Sequence, residues 1–214
     1  MQVSYAAVVP LAVSIGIFGG VARAGDDMTT LNFAVMRNGA KIGTNSISFG
    51  KRGPDETVQT ETHVAIGFGF LTIYKFDQSE TELWTDGRLV KMNSTTDDNG
   101  TVHRSNAVAR DDKLVVKGEG AAKELAPTLI PLSLWNSAVT EQSTVIDPRD
   151  GTIVSLKVAD RGDDELVIHG RPLRTHHYEI TTTFPQDVWY DENHRLVQVE
   201  LKGSDGSTIR YQLV

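Results

Sequence analysis

Turn-forming dipeptides recur along this chain, and each one separates two short runs of strand-like composition. Asn38-Gly39 lies between such runs at 31–36 and 42–49. Both residues of this dipeptide tolerate the positive φ angles that a two-residue hairpin turn requires. The same kind of signature recurs at Asp86-Gly87, at Asp98-Asn99-Gly100 and at Ser204-Asp205-Gly206. The sequence therefore predicts a series of hairpins, in which neighbouring strands run antiparallel.

Polar and apolar residues alternate within these runs, most clearly near the C-terminus. Val197, Val199 and Leu201 are separated by polar residues, and 209–213 follows the same pattern. A period of two indicates a sheet with one buried face and one solvated face. Further strands are predicted at 57–66, 71–84, 88–96, 101–109, 113–117, 152–158, 165–169 and 175–183. This many hairpin-linked strands predict an all-β fold built on a curved antiparallel meander sheet, either a half-barrel or barrel-like.

One segment departs from the strand pattern. Between residues 127 and 140, the apolar residues Leu132, Trp135 and Val139 follow the spacing of a helix. Pro131 suits the first turn of such a helix, where its missing N–H is not needed. We expect one short helix over 131–139, packed on the concave face of the sheet as a plug.

The first residues have the composition of an export signal. Residues 6–18 are mainly apolar, and residues 22–24 read Ala-Arg-Ala, which are small residues where a signal peptidase needs them. The alternative is an N-terminal membrane anchor, but a span needs about 20 apolar residues and this stretch is shorter. We expect cleavage near Ala24, a signal peptide over 1–24, a single β domain over 25–214, and a periplasmic location.

Cysteine content and charge narrow the possibilities further. The chain has no cysteine, which excludes disulfides, thiolate metal sites and a lipidated N-terminal cysteine. A formal net charge of −7, without a basic block, argues against nucleic acid as a partner, because neutralising phosphates needs clustered Lys and Arg. No later segment is apolar for long enough to predict a transmembrane span.

Several short motifs occur in a fixed order over nearly all of the predicted mature chain. They are "FAVMRNGAKIGT", "YKFDQSETELWTDGRLV", "TDDNG", "PLSLWN" and "VWYDENHRLVQVEL". In this order the chain resembles an exported proteobacterial family of β proteins that is catalogued as a domain of unknown function. That family is similar in outline to the half-barrel carriers that take lipoproteins across the periplasm. The resemblance implies a fold and a compartment, and it supplies no catalytic residues.

Known catalytic and cofactor motifs are not found in the sequence. It lacks a Gly-x-Ser-x-Gly elbow, a phosphate loop and a His-Glu-x-x-His zinc helix. The Gly-Phe-Gly-Phe stretch at 67–70 lies inside an apolar run, which favours either a bulged core strand or an apolar flap at the mouth of a cavity. His176 and His177 are adjacent and point to opposite faces of a strand, which disfavours a shared metal ion. We therefore predict no metal and no cofactor.

One predicted strand places two carboxylates on the same face. The residues of this face are Tyr74, Phe76, Gln78, Glu80, Glu82 and Trp84. Three interpretations remain open: a solvated strand end whose acids pair with Lys or Arg, a polar collar within a ligand cavity, or a carboxylate pair for acid–base catalysis.

Taken together, the sequence favours non-catalytic binding or carriage of an apolar ligand, such as a lipid or an acyl chain, in the curved sheet. The alternatives are a cell-envelope structural or assembly partner that docks by a sheet edge, and a hydrolase that uses Glu80 or Glu82. The predicted ligand-binding residues are Phe68, Phe70, Tyr74, Phe76, Glu80, Glu82, Trp84, Leu132 and Trp135.

Overall fold

The computed structural model describes residues 28–68 and 71–214, and strands dominate those residues. The strands are β1 (Met28–Arg37), β2 (Ala40–Arg52), β3 (Asp55–Phe68), β4 (Leu71–Thr85), β5 (Arg88–Asp98), β6 (Thr101–Arg110), β7 (Lys113–Lys117), β8 (Lys123–Leu125), β9 (Thr144–Ile146), β10 (Ile153–Ser155), β11 (Lys157–Ile168), β12 (Arg171–Thr181), β13 (Pro185–Asp191), β14 (Leu196–Lys202) and β15 (Thr208–Leu213). The predicted signal peptide, 1–24, lies outside the described residues.

Thirteen of these strands form one antiparallel sheet, in the order β11-β12-β13-β14-β15-β1-β2-β3-β4-β5-β6-β7-β8. The described chain therefore starts in the middle of the sheet, extends to β8 at one edge, and then crosses to β11 at the other edge. From there it returns strand by strand until β15 pairs with β1, with Tyr211 opposite Val35. Because β8 and β11 do not pair with each other, the described sheet is not closed into a barrel.

The predicted hairpin turns are confirmed by the backbone. Asn38 and Gly39 have φ angles of 48° and 85°, and Asn99 and Gly100 have 53° and 92°. Positive φ at both central residues is the conformation for which Asn-Gly is selected. A further turn of this kind lies at 169–170. It ends β11 at Ile168, one residue before the end of the strand that the sequence predicts at 165–169.

Residues 126–156 form the crossing segment, which connects β8 to β11. It contains the short β9–β10 hairpin and a 3-10 helix at Ser137–Glu141, capped by the side chain of Asn136. Ile130, Val139, Val145, Ile146 and Leu156 of this segment belong to the same hydrophobic core as the strands of the large sheet. The crossing segment therefore covers part of one sheet face, which we call the inner face.

The α-helix predicted over 131–139 is not confirmed. The Leu132 amide donates to the Ile146 carbonyl at 2.8 Å, and the Ile146 amide donates to the Ile130 carbonyl at 3.0 Å. This pairing with β9 fixes 130–132 in an extended conformation, so an α-helix begun at Pro131 is not formed. Leu132 and Trp135 nevertheless pack against the core, as the prediction of a plug requires.

Candidate functional site

The predicted face of β4 points to the interior. Glu80 and Glu82 are only 4% and 1% exposed, and Trp84 is also buried, whereas the intervening residues face outward. The interpretation of this face as a solvated strand end is therefore wrong. Two carboxyl groups lie side by side in the core of the protein, which is costly unless hydrogen bonds compensate for the lost water.

The carboxyl group of Glu82 accepts hydrogen bonds from two tryptophan side chains. Its Oε2 accepts a hydrogen bond from Trp84 Nε1 at 2.7 Å, and its Oε1 accepts one from Trp135 Nε1 at 3.1 Å. The two indole rings meet edge to face with centroids 5.7 Å apart. One carboxyl group thus joins β4 to the crossing segment and satisfies the N–H donors of both indoles.

Glu80 accepts a hydrogen bond from Ser133 Oγ of the crossing segment at 3.1 Å. Burial raises the pKa of Glu80 well above its ordinary value, and the neighbouring charge of Glu82 raises it further. Burial also raises the pKa of Glu82, but hydrogen bonds from Ser133, Trp135 and Trp84 oppose this rise. Glu80 is therefore the protonated member of the pair, and Glu82 is the one that ionises first.

Two rows of polar side chains cross the inner face at the level of Glu80. Cross-strand pairing gives the first row as Asn45, Thr62, Gln78 and Thr96, and the second as Thr60, Glu80, Ser94 and Ser105. Asn45 Nδ2 donates to Thr62 Oγ1 at 2.9 Å, and Ser105 Oγ donates to the Pro148 carbonyl at 2.6 Å. The hydroxyls of Ser94 and Thr96 are buried and have no protein partner.

A cavity of about 250 Å³, the inner cavity, lies between these rows and the crossing segment. Its polar lining comes from Asn45, Thr60, Thr62, Gln78, Glu80, Ser133 and Gln186. Apolar residues of β1, β2, β14 and the crossing segment complete the wall together with the ring of Tyr211. Glu80, but not Glu82, contributes to this lining.

A second cavity, the outer cleft, has a volume of about 430 Å³ and lies between β1, β2, β3, β4 and β15. Its lining is mainly apolar: Val35, Ile42, Val64, Ile66, Tyr74, Phe76, Ile209 and Tyr211. Arg37 and Asp205 form an ion pair in its wall. Tyr74 donates to Asp98 at 2.9 Å, and burial together with this bond raises the pKa of Tyr74 to about 12, so the hydroxyl keeps its proton.

A third depression, of about 1040 Å³, lies between β11, β12 and the 3-10 helix and is rich in acidic residues. His176 bonds to Asp160 and Asp163 there, at 2.7 and 2.9 Å, and these bonds raise the pKa of the imidazole. His177 contacts Asp187 instead, so the two histidines have separate partners. Within 28–68 and 71–214, no three His, Asp or Glu side chains come together in a way that could hold a metal ion.

The predicted site residues lie in two parts of the inner face, one around the inner cavity and one in the outer cleft. Glu80, Glu82 and Trp84 lie under the crossing segment, which contributes Leu132 and Trp135 to the same region. Tyr74 and Phe76 line the outer cleft instead. Phe70 and the side chain of Phe68 lie outside the part of the molecule that the structure describes.

Sequence reasoning missed the small polar residues of the inner face. Ser94 and Thr96 follow Met92 at alternate positions of β5, so the period-two pattern already placed them inward. Tyr211 was assigned to a strand, but its position between the two cavities depends on the pairing of β15 with β1 and β14. That pairing joins residues far apart in the sequence.

These features define an open, barrel-like β domain with cavities on its inner face. The chain belongs to the family described as Domain of unknown function (DUF6134), whose model matches residues 33–214. This confirms the predicted membership of a β-protein family of unknown function. No curated protein matches the chain.

Among solved structures, the chain is similar to the crystal structure of a beta-barrel-like protein of domain of unknown function DUF1849 from Brucella abortus. The superposition has a TM-score of 0.58 with 14% sequence identity, and it covers 87% of this chain and 94% of that chain. At this identity the likeness concerns the fold alone. Among the described residues, no helix has the length and apolarity needed to cross a membrane.

Proposed function

We propose that this protein is an exported, non-catalytic binding protein that holds an apolar ligand, such as a lipid acyl chain, in the outer cleft. The observation that carries the proposal is the apolar lining of that cleft at the end of the inner face where the crossing segment supplies no lining residue. A curved sheet that opens at one end is a common site for such ligands.

The size and chemistry of the outer cleft fit this role. Its volume of about 430 Å³ lies within the range of small-molecule sites, roughly 300–1,000 Å³. Ile66, Tyr74 and Phe76 are only partly buried, so they present apolar surface that a ligand could cover. Burying such surface contributes about 25 cal/mol per Å².

Catalysis by the carboxyl pair is not our proposal, because Glu82 already uses both of its oxygens. Each oxygen accepts an indole N–H, and Glu82 is only 1% exposed and does not line the inner cavity. Glu80 lies beneath Ser133 of the crossing segment. The hydrogen bonds of the two carboxyl groups thus join β4 to the crossing segment, which favours a structural role for the pair over proton transfer to a substrate.

Docking by a sheet edge has less support than ligand binding. The free edge strand β11 contains a β-bulge between Asp160 and Gly162, followed by Asp163, Asp164 and Glu165. Bulges and charged residues on an edge hinder the addition of another strand. The opposite edge, β8, is only three residues long.

Export rests on the sequence, where small residues at 22–24 follow an apolar run. Fractionation of cells that express the full chain tests it, because we expect the protein in the periplasmic fraction with its N-terminus at Gly25. A full-length chain retained in the cytoplasm would contradict the proposal.

A pair of matched substitutions tests ligand binding in the outer cleft. Ile66→Glu places a charge in the cleft lining, whereas Ile73→Glu places the same charge at a position that is 60% exposed. We expect Ile66→Glu to weaken binding of the neutral probe N-phenyl-1-naphthylamine about tenfold or more, because a buried charge without a partner is costly. Ile73→Glu should bind it like the wild type.

Native mass spectrometry of the protein purified from the periplasm gives an independent readout. We expect added mass that organic extraction releases as lipid, and we expect less of it on Ile66→Glu. Circular dichroism must show that both variants are folded. Equal probe binding by the two folded variants would contradict the placement of the ligand in the outer cleft.

A further inference from the structure

The outer cleft and the inner cavity adjoin each other. Tyr211 lines both of them, and β3 and β4 contribute side chains to each. Along β4, Phe76 lies in the cleft and Gln78 and Glu80 lie in the cavity. An apolar chain in the cleft would therefore have one end beside the polar rows of the inner face.

One wall of the inner cavity is polar. Glu80, Gln78 and Thr60 line it, and the hydroxyls of Ser94 and Thr96 lie directly across from Glu80 and Gln78 on β5. Ser94 is 4% exposed and Thr96 is 0% exposed, yet neither hydroxyl has a protein partner. Neither residue lines the cavity, so the groups that a guest could hydrogen-bond there are those of lining residues such as Glu80, Gln78 and Thr60.

The ionisable groups that act on Glu80 are all acidic. The carboxyl groups of Glu80 and Glu82 are adjacent, and Asp147 of the crossing segment is close enough to act on Glu80. No Lys or Arg is among the described residues that line the cavity. The guanidinium of Arg149 faces Asp98 and Asp150, at 3.6 and 3.8 Å. An anion in this cavity would therefore meet no Lys or Arg among the lining residues that the structure describes.

We propose that the inner cavity receives the head of the ligand and selects amphiphiles whose head donates hydrogen bonds and carries no negative charge. Hydroxyl and amine heads both meet this description, and a carboxylate or phosphate head does not. This inference rests on the proposed function, because it takes the outer cleft as the place of the apolar chain.

Three ligands with the same twelve-carbon chain test the inference: monolauroylglycerol, dodecylamine and laurate. Each competes, below its micellar concentration and at neutral pH, with N-phenyl-1-naphthylamine bound to the full-length mature protein. We expect the glyceride and the amine to displace the probe at about tenfold lower concentration than laurate, because an anion buried without a partner is costly.

Two variants assign this preference to the cavity. Glu80→Gln keeps the shape of the side chain but removes its ability to ionise, so the amine should lose about tenfold in affinity while the glyceride changes little. Glu61→Gln removes an acid from the outer face of β3, where Ser79 contacts it, and should change neither ligand. Glu80→Gln without any effect on the amine would overturn the inference.

The outcomes for the inference and for the proposed function can be told apart. Two results would overturn the inference alone: laurate binding as well as the other two ligands, or laurate binding more weakly to Arg37→Gln than to the wild type. Either result would place the head at the ion pair in the cleft wall. If none of the three ligands displaces the probe, the outer cleft does not hold an acyl chain, and the proposed function fails as well.

Discussion

The two ends of the inner face of β4 differ in what covers them. At one end, Glu80 and Glu82 are under the crossing segment, with Ser133 and Trp135 donating to them. At the other end, Tyr74 and Phe76 line a cleft to which the crossing segment supplies no residue. Both ends belong to the same strand and follow the same alternation, so strand patterning alone does not distinguish them.

The topology of the sheet explains the difference. The chain must pass from β8 to β11, and it does so over one part of the inner face. The crossing segment approaches the residue after β7 closely because that residue is Gly118. An added Cβ there would lie 1.7 Å from the Asp150 carbonyl oxygen. The covered end is therefore fixed by packing and hydrogen bonds, while the uncovered end keeps a mainly apolar lining to which the crossing segment adds nothing.

The largest effect on the covered end is expected from Glu82→Ala. This change leaves the buried N–H group of Trp84 and the partly buried N–H group of Trp135 without an acceptor, and a buried group of this kind costs about 1–3 kcal/mol. We therefore expect the free energy of unfolding in urea to fall by about 2–6 kcal/mol.

The matched control is Glu61→Ala, since Glu61 lies on the outer face and contacts Ser79 and Gln59 at the surface. Its free energy of unfolding should stay within about 0.5 kcal/mol of the wild-type value. A similarly small loss in Glu82→Ala would mean that solvent reaches the indoles and that the end is not closed as described.

A smaller effect is expected from Gly118→Ala. The new methyl group would collide with the Asp150 carbonyl, and overpacking of this kind costs about 1–3 kcal/mol. Gly120→Ala is the control, because a Cβ there has no atom within 4 Å. Hydrogen exchange should also become faster at the Ile146 amide, which bonds to Ile130 within the crossing segment and is protected while that segment keeps its packed structure. Unchanged exchange would show that this contact does not hold the segment.

Much of the fold follows from local sequence signals. Asn38-Gly39 and Asn99-Gly100 have the positive φ angles that their residue types predict, and the alternation on β4 correctly assigned Glu80 and Glu82 to one face. These features depend on neighbouring residues, which a single sequence records directly.

The candidate site required contacts that are distant along the chain. The apolar spacing of Leu132 and Trp135 favoured a helix, but Ile146 pairs with the backbone at 130–132 and holds it extended. The burial of Glu80 could not be read from its neighbours in sequence, because Ser133 lies 53 residues away. Such contacts form only when the crossing segment lies on the sheet.

The smallest expected effect is a change in the pH dependence of stability in Glu80→Gln. The pKa of Glu80 is raised in the folded protein by burial and by Glu82, so folding holds a proton that the unfolded chain releases. The stabilisation that Glu80 contributes to the free energy of unfolding is therefore complete below the ordinary glutamate pKa. It is lost as the pH rises towards the raised pKa of the folded protein.

Glutamine resembles the protonated carboxyl group, so Glu80→Gln should lack this loss. Urea unfolding between about pH 4 and pH 8 should show the variant equal to the wild type in acid and more stable than it at neutral pH. The comparison must be a difference between the two proteins, because Glu82 and Asp147 also have raised pKa values and titrate in both. A variant that is less stable than the wild type across the whole range would mean that Glu80 is held as a carboxylate, and the covered end would then depend on its charge rather than on its proton.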